Sequence, residues 1–377
     1  MASLPDILID TLYISATLRI IMNIAVAMSG GVDSSVAAAL LVKEGHTVIG
    51  LTAKILLCSE MDGSQPRFDV CCSPENLHDA KKVANSLGIH HYTVNVEDEF
   101  YCKVIEPFCN EYCSGRTPSP CINCNTSIKF PKLLHQAKEL GCDTLATGHY
   151  ASVCKNSRYY IKRGKDADKD QSYFLFNLNQ EILAHVLLPL GLYTKEAIRA
   201  IAHDMGLHIA GKPESQEVCF VPDNDYPRYI EQRTGKRLPA GDIVTTDGKV
   251  IGRHKGIHRY TIGQRRGLGI AWQHPLYVVA IDAVNNRIIA GSKDELVSSG
   301  LIASGINFMK ATALNSTPVW IKTRSTQKPC KAIATAYSDR LTIIFDQPQS
   351  SITPGQAVVC YDNEGAILAG GWIEEKL

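Results

Sequence analysis

Apolar and polar positions follow one pattern in the first half of the chain and another in the second. A short apolar run at 23–28 leads into an Ala/Leu/Val-rich stretch at 34–44 ended by Gly45, and then into a β-branched run at 47–52. That order predicts a strand–helix–strand unit. Ser73, Pro74 and Glu75 have the character of an N-cap, a first-position proline and a first-turn acid, opening a helix to about Leu87 that Gly88 stops. A strand at 91–96, a long helix to about Ser114, a loop at 115–125, a helix to Leu140 and a strand at 144–147 continue the alternation. Strands alternating with helices predict an α/β fold with a doubly wound parallel sheet, its ligand crevice at the carboxyl ends of the strands.

Past about Val221 the pattern changes. Glycine and basic residues dominate 234–269, including Gly252-Arg253-His254-Lys255-Gly256 and Gly263-Gln264-Arg265-Arg266-Gly267, as in a small irregular domain or a linker. From Leu276 onward, short β-branched runs at 277–281, 287–290, 319–323, 332–337, 341–345 and 357–361 recur between turn signals such as Thr353-Pro354-Gly355. Such spacing predicts a small antiparallel barrel or sandwich. The expected division is an N-terminal extension (1–22), an α/β domain (23–225), a small central domain (226–292) and a C-terminal β-barrel (293–377).

Composition narrows the class. The 377 residues suffice for two or three domains, 45% hydrophobic and 20% charged residues are those of a soluble globular chain, and no apolar run reaches the roughly 20 residues a bilayer requires. A net charge of +1 means that any nucleic acid must be held by local basic patches and not by a global field. Of 13 cysteines, nine (58, 71, 72, 102, 109, 113, 121, 124 and 142) lie in one stretch of the first half. Residues 1–22 carry Asp6, Asp10 and Arg19, with neither the basic start and apolar run of a secretory signal nor the Arg-rich character of a mitochondrial one, and Met22 is a second candidate start. The expectation is a cytoplasmic protein whose thiols serve chemistry or metal and not a disulfide scaffold.

The sharpest motif is Ser29-Gly30-Gly31-Val32-Asp33-Ser34-Ser35, between the first strand and the first helix. Its glycines let backbone N–H groups approach an anion, its hydroxyls donate to phosphate oxygens, and the helix adds its positive N-terminus. Without the Gly-Lys-Ser/Thr ending of a Walker A loop it matches the PP-loop, which serves ATP cleavage between the α and β phosphates; Asp33 is the natural Mg²⁺ partner. In Thr117-Pro118-Ser119-Pro120-Cys121-Ile122-Asn123-Cys124-Asn125 a thiol near a helix N-terminus would favour the thiolate, although the same pair could be half a zinc site completed by Cys71-Cys72, or two buried thiols. Cys219, in Glu214-Ser215-Gln216-Glu217-Val218-Cys219-Phe220, has by itself the character of a core cysteine. Thr147-Gly148-His149-Tyr150 ends a sheet strand with a glycine that would admit a nucleotide base and a histidine at the crevice, which on spacing alone is more often a satisfied structural histidine, and Lys169-Asp170-Gln171-Ser172-Tyr173 suits a polar ligand, although most such clusters are solvated surface.

Taken in this order, with Gly115-Arg116-Thr117-Pro118, Ile128-Lys129-Phe130 and Thr261-Ile262-Gly263-Gln264-Arg265, these segments resemble the bacterial and mitochondrial family of tRNA-specific 2-thiouridylases from about Asn23 to the C-terminus. The resemblance implies that ATP adenylates the 2-carbonyl oxygen of the wobble uridine in tRNAs of the Lys, Glu and Gln types, and that sulfur then replaces this oxygen. By motif position, Cys124 is implied as nucleophile and Cys219 as the persulfide carrier, with either a Cys124–Cys219 disulfide formed as hydrosulfide is released or direct attack by the persulfide on C2. Ala27, Met28, Ser29, Gly30, Gly31, Val32, Asp33, Ser34, Ala53 and Gly148 are implied at ATP and Mg²⁺; Ser119, Pro120 and Cys121 at the target base; and His149, Lys169, Asp170, Gln171, Arg324, Ser325 and Gln356 at the tRNA. A persulfide donor or relay protein is the implied partner of a monomeric enzyme.

Two departures matter. The family often has Asn-Pro-Asp where Ser119-Pro120-Cys121 stands and Met where Ala53 stands, so Cys121, Cys124 and Cys219 could converge on an iron–sulfur cluster. The competing expectations are a PP-loop ligase, which explains neither Cys124 nor Cys219, and a non-catalytic tRNA-binding protein with zinc on Cys71, Cys72, Cys121 and Cys124.

Overall fold

The first apolar run is the central strand of a sheet. In the computed structural model, which describes residues 21–55, 74–213, 218–221 and 224–377, β1 (Asn23–Ala27) carries Ile24, Ala25 and Val26, all fully buried. The expectations placed on Cys58, Cys71, Cys72, Ser73, Ser215 and Gln216, and all but the last two residues of the N-terminal extension, lie outside these residues. β2 (Thr47–Lys54), β3 (His90–Asn95), β4 (Thr144–Thr147) and the two-residue β7 (Val186–Leu187) complete a parallel sheet of order β3-β2-β1-β4-β7, while β5 (Ala151–Lys155) and β6 (Tyr159–Arg163) form a separate hairpin. The chain winds outward from β1 to β3 and then returns to β1's other side as β4. A crevice therefore opens between the carboxyl ends of β1 and β4, where the strand order reverses.

The first helix, Val32–Lys43, has no polar face to speak of, because Val36, Ala37, Ala38 and Ala39 are fully buried between the sheet and the later helix Lys195–Asp204. The helix expected after the 115–125 loop starts earlier, at Pro120, and runs through a π-type turn, Asn125–Lys129, to Glu139. Proline lacks an N–H and has its φ preset, so it opens the helix instead of delaying it. Another π-type turn, Tyr101–Ile105, interrupts the 97–113 helix.

The glycine-rich middle is a folded domain and not a linker. Helix Tyr226–Thr234 precedes β8 (Gly241–Val244), β9 (Val250–His254), β10 (Tyr277–Asp282) and β11 (Arg287–Gly291), a sheet of order β10-β11-β8-β9 with Ile243, Val278, Ile288 and Ala290 at its core. The runs at 277–281 and 287–290 thus belong here. Last comes a closed barrel, β12-β15-β14-β13-β16-β17, formed by β12 (Val297–Phe308), β13 (Thr317–Lys322), β14 (Cys330–Tyr337), β15 (Arg340–Ser350), β16 (Ala357–Tyr361) and β17 (Ile367–Lys376).

The barrel shares a core with the first domain: one apolar cluster holds Ala25, Leu51, Tyr173 and Phe176 together with Met309, Val359, Tyr361 and Ile367. Polar contacts close the same seam. The Tyr173 hydroxyl donates to the Ala357 carbonyl at 2.9 Å, and the Ser172 and Tyr361 hydroxyls lie 3.1 Å apart.

Candidate functional site

The glycine- and serine-rich segment after β1 forms the tight loop expected of it. Gly31 occupies the N-cap position of Val32–Lys43 with no side-chain cap, leaving the helix amides of the first turn for another acceptor. Gly30 has φ +71°, and a Cβ there would stand 2.0 Å from the Asn76 carbonyl oxygen, so only glycine fits. The hydroxyls shape the loop: Ser34 Oγ accepts from Ser29 N at 3.1 Å, and Ser35 Oγ donates to the Gly31 carbonyl at 2.8 Å. Ala27 ends β1, Met28 and Val32 are buried, and Ala53 is half-buried near the end of β2, paired with Val94. Gly148, expected at the nucleotide, lies against the phosphate loop, where a Cβ would meet Asp33 C and Ser34 N at 2.7 Å. It fixes the end of β4 against the start of the helix.

Asp33 has partners that its own segment does not reveal. Lys195 Nζ donates to Oδ1 and Oδ2 at 2.7 and 2.9 Å, and the Tyr150 hydroxyl donates to Oδ1 at 2.7 Å. Lys212 bridges the opposite side, donating to the Gly30 carbonyl at 3.1 Å and to Asn76 and Asp79. These lysines escaped the sequence reading; Thr194-Lys195-Glu196 does carry a helix-start signal, and the Thr194 side chain accepts from Ala197 N.

Cys124 sits in the second turn of its helix and Cys219 lies beside Phe220, and both half-buried thiols border one aromatic cluster of Phe100, Phe108, Phe220 and Tyr229. Ala53 packs against that cluster as well, which ties it to the carboxyl end of the sheet. Cys121 is exposed, in the first turn. Both candidate relay residues are thiols, with no disulfide joining them. Among the described residues no three His, Cys, Asp or Glu side chains gather as metal ligands.

His149 stacks on Phe130 with ring centroids 5.7 Å apart, and its Nδ1 is 2.7 Å from Thr147 Oγ1. Burial, with a smaller contribution from the Lys129 charge, holds its pKa well below the usual value, so the ring is neutral near pH 7. An unfolded chain takes up this proton at a pH of about 6.5 and the folded chain does not, so stability is lost as pH falls through that value. Urea unfolding is expected to show lower stability at about pH 5.5 than at about pH 7.5, with a smaller difference in His149→Gln. The same difference in both proteins would remove His149 from this account.

Of the residues expected at the tRNA, Asp170 turns inward. The Asp170 side chain is fully buried, bonded to Arg163 Nε at 2.8 Å and to the amides of Gly164 and Ser172, with Lys322 of the barrel at 3.7 Å. Gln171 exchanges two hydrogen bonds with the Tyr150 backbone, each 3.0 Å, and so positions the tyrosine that holds Asp33. Gln356 donates to the Thr117 and Pro118 carbonyls at 3.0 Å, fastening the barrel to the loop that opens the Cys124 helix. With Ser119 and Pro120 buried and Cys121 exposed, that loop presents the thiol outward. Arg324 is exposed and donates to the Ser351 carbonyl at 2.7 Å, Ser325 beside it is half-buried, and Lys169 is half-buried with its amide on Asp166.

Three families match consecutive parts of the chain: "tRNA methyl transferase HUP domain" at residues 22–223, "tRNA methyl transferase PRC-barrel domain" at 227–292 and "Aminomethyltransferase beta-barrel domain" at 298–373. A curated relative from Geobacter metallireducens, named tRNA-specific 2-thiouridylase MnmA, is 48% identical over 359 residues, covering 94% of this chain and 97% of its own. Proteins of the same name from Geotalea uraniireducens and Halothermothrix orenii are 49% and 45% identical, each over 94% of this chain and over 96% and 99% of their own.

Proposed function

The chain belongs to the family of tRNA-specific 2-thiouridylases and is a tRNA sulfurtransferase, and on that premise we propose that it adenylates the 2-oxygen of a wobble uridine and replaces it with sulfur relayed through Cys219 and Cys124. The observation that carries this reading is the pair of thiols on one aromatic cluster at the carboxyl end of the sheet that bears the phosphate loop. A PP-loop ligase has no use for the pair. The residues fit ATP: uncapped helix amides, Gly30 in a conformation only glycine holds, and the Ser29 and Ser34 hydroxyls at the turn. ATP would supply the adenylyl group, and Asp33 is the carboxylate of the loop that would hold Mg²⁺.

The uridine 2-oxygen attacks the α-phosphorus and pyrophosphate leaves, converting a poor leaving group into AMP. The Cys124 thiolate attacks Sγ of the Cys219 persulfide, forming a Cys124–Cys219 disulfide and releasing hydrosulfide. Hydrosulfide attacks C2, AMP departs with the oxygen, and loss of the sulfur-bound proton leaves the 2-thiocarbonyl. A dithiol reductant supplies two electrons to reopen the disulfide, and a persulfide donor recharges Cys219. The wobble base lies in a single-stranded loop, so turning it into a pocket costs little. Cys121, His149, Lys169, Arg324 and Ser325 face the RNA in this reading, while Asp170, Gln171 and Gln356 position them. The enzyme acts as a monomer.

The test is mass spectrometry of nucleosides from a tRNA with a wobble uridine, after anaerobic incubation with the protein, ATP, Mg²⁺ and a persulfide donor. The expected result is ATP-dependent 2-thiouridine. AMP formation with an amine and an acid but no thionucleoside would point to a ligase; stoichiometric zinc with no ATP turnover would point to a binding protein.

A further inference from the structure

Asp33 is the acidic group of the phosphate loop, and both of its oxygens are engaged. Lys195 Nζ reaches Oδ1 and Oδ2 at 2.7 and 2.9 Å, and the Tyr150 hydroxyl reaches Oδ1 at 2.7 Å. The ammonium is withdrawn from water, since the Lys195 side chain is 9% exposed, whereas the Asp33 side chain remains 32% exposed toward the crevice. Its anchorage is rigid. The Lys195 amide donates to Asp166 Oδ2 at 2.9 Å, Thr194 caps the helix, and Ile198 and Ala202 of that helix lie in the cluster beneath Val32–Lys43. A buried ion pair is by itself a poor stabiliser, because desolvation offsets much of the attraction. A lysine held at the one acid of a phosphate loop is suited to a different purpose, since a hard divalent cation takes the same carboxylate oxygens.

We infer that Lys195 competes with Mg²⁺ for the carboxylate of Asp33, so that loading of the metal–nucleotide displaces the ammonium and turns its charge toward phosphate oxygens. Lys195 is then a positioning residue that couples metal entry to nucleotide entry. Mg²⁺ alone must displace a bidentate lysine; Mg²⁺ arriving with phosphates offers that lysine a new acceptor. This inference rests on the reading of residues 29–34 as an ATP loop.

The experiment measures binding of α,β-methylene-ATP to the full chain by calorimetry at a series of Mg²⁺ concentrations, without tRNA, so that no turnover is involved. In Lys195→Met the analogue is expected to bind about tenfold to a hundredfold more weakly at saturating Mg²⁺, the loss of a charge-assisted contact. The Mg²⁺ concentration at half-saturation is expected to fall at the same time, the competitor being gone. Tyr150→Phe, which removes the other donor to Asp33 in a near-isosteric exchange, is expected to lower that midpoint too, and it serves should the lysine variant not fold. A merely structural lysine leaves the Mg²⁺ midpoint where it is in both variants, and that outcome overturns the inference. Failure of the unaltered protein to bind the analogue would overturn the ATP reading itself.

Discussion

Cys124→Ser loses 2-thiouridine formation by at least about a thousandfold, the scale of removing a covalent nucleophile, and Cys219→Ser does the same, while both variants bind tRNA nearly as tightly as the unaltered protein. Neither side chain is required for phosphate contacts, which fall to lysine and arginine. The two losses differ in kind. With a persulfide donor, Cys124→Ser accumulates a persulfide on Cys219 that peptide mass spectrometry detects, because the residue that would attack it is gone. Cys219→Ser carries none at that position. Full activity of either variant with a persulfide donor would sink the two-cysteine relay. Folding effects are expected to be small, since both positions are half-buried at the edge of their cluster and the exchange is nearly isosteric.

Gly30→Ala is expected to weaken ATP binding by about a hundredfold, the cost of displacing a site by about an ångström. The added Cβ would lie 2.0 Å from the oxygen and 2.7 Å from the carbon of the Asn76 carbonyl, in a backbone with φ +71°. Backbone strain costs about 1–2 kcal/mol of stability; the loss of binding comes from pushing the loop away from the Pro74–Ser86 helix. Gly45→Ala separates the two contributions, because φ is +87° there but no atom stands within 4 Å of the new Cβ. That variant is expected to lose a similar 1–2 kcal/mol of stability, about the same strain, and to bind ATP normally. Equal ATP binding by both variants would show that the loop yields without consequence.

The phosphate loop was legible in the sequence because its physics is local: glycines, hydroxyls and an acid between a strand and a helix suffice. Its partners were not. Tyr150 and Lys195 reach Asp33 from 117 and 162 residues away, and nothing near either residue marks it for a carboxylate. The same limit hides the surroundings of Asp170 and Gln356, because a short polar motif reads the same whether solvated or paired, and their partners, Lys322 and the Thr117–Pro118 carbonyls, lie in another domain. Six short β-branched runs announced the second half as β-structure, yet two barrel strands gave no such signal. β12 carries Ser298, Ser299, Gly300, Ser304 and Gly305, and β17 carries Gly370 and Gly371, residues of low strand propensity that closure of the barrel overrides. The thiol pair was legible only through family resemblance; Cys219 by its neighbours alone looks like core.

The seam between barrel and sheet bears on how the chain is made. A single apolar cluster takes in Ala25 and Leu51 from the first strands and Val359, Tyr361 and Ile367 from the last. During synthesis, which runs at about 5–20 residues per second, the first domain emerges with Tyr173 and Phe176 uncovered and with Asp170 awaiting Lys322. The part of its core that Val359, Tyr361 and Ile367 cover waits for the last strands. Long-range closure of this kind is slow and exposes apolar surface to other chains. A chain that ends before β16 is therefore expected to leave Tyr173 and Phe176 uncovered and to aggregate, which expression of residues 1–350 and separation of the soluble from the insoluble fraction would check.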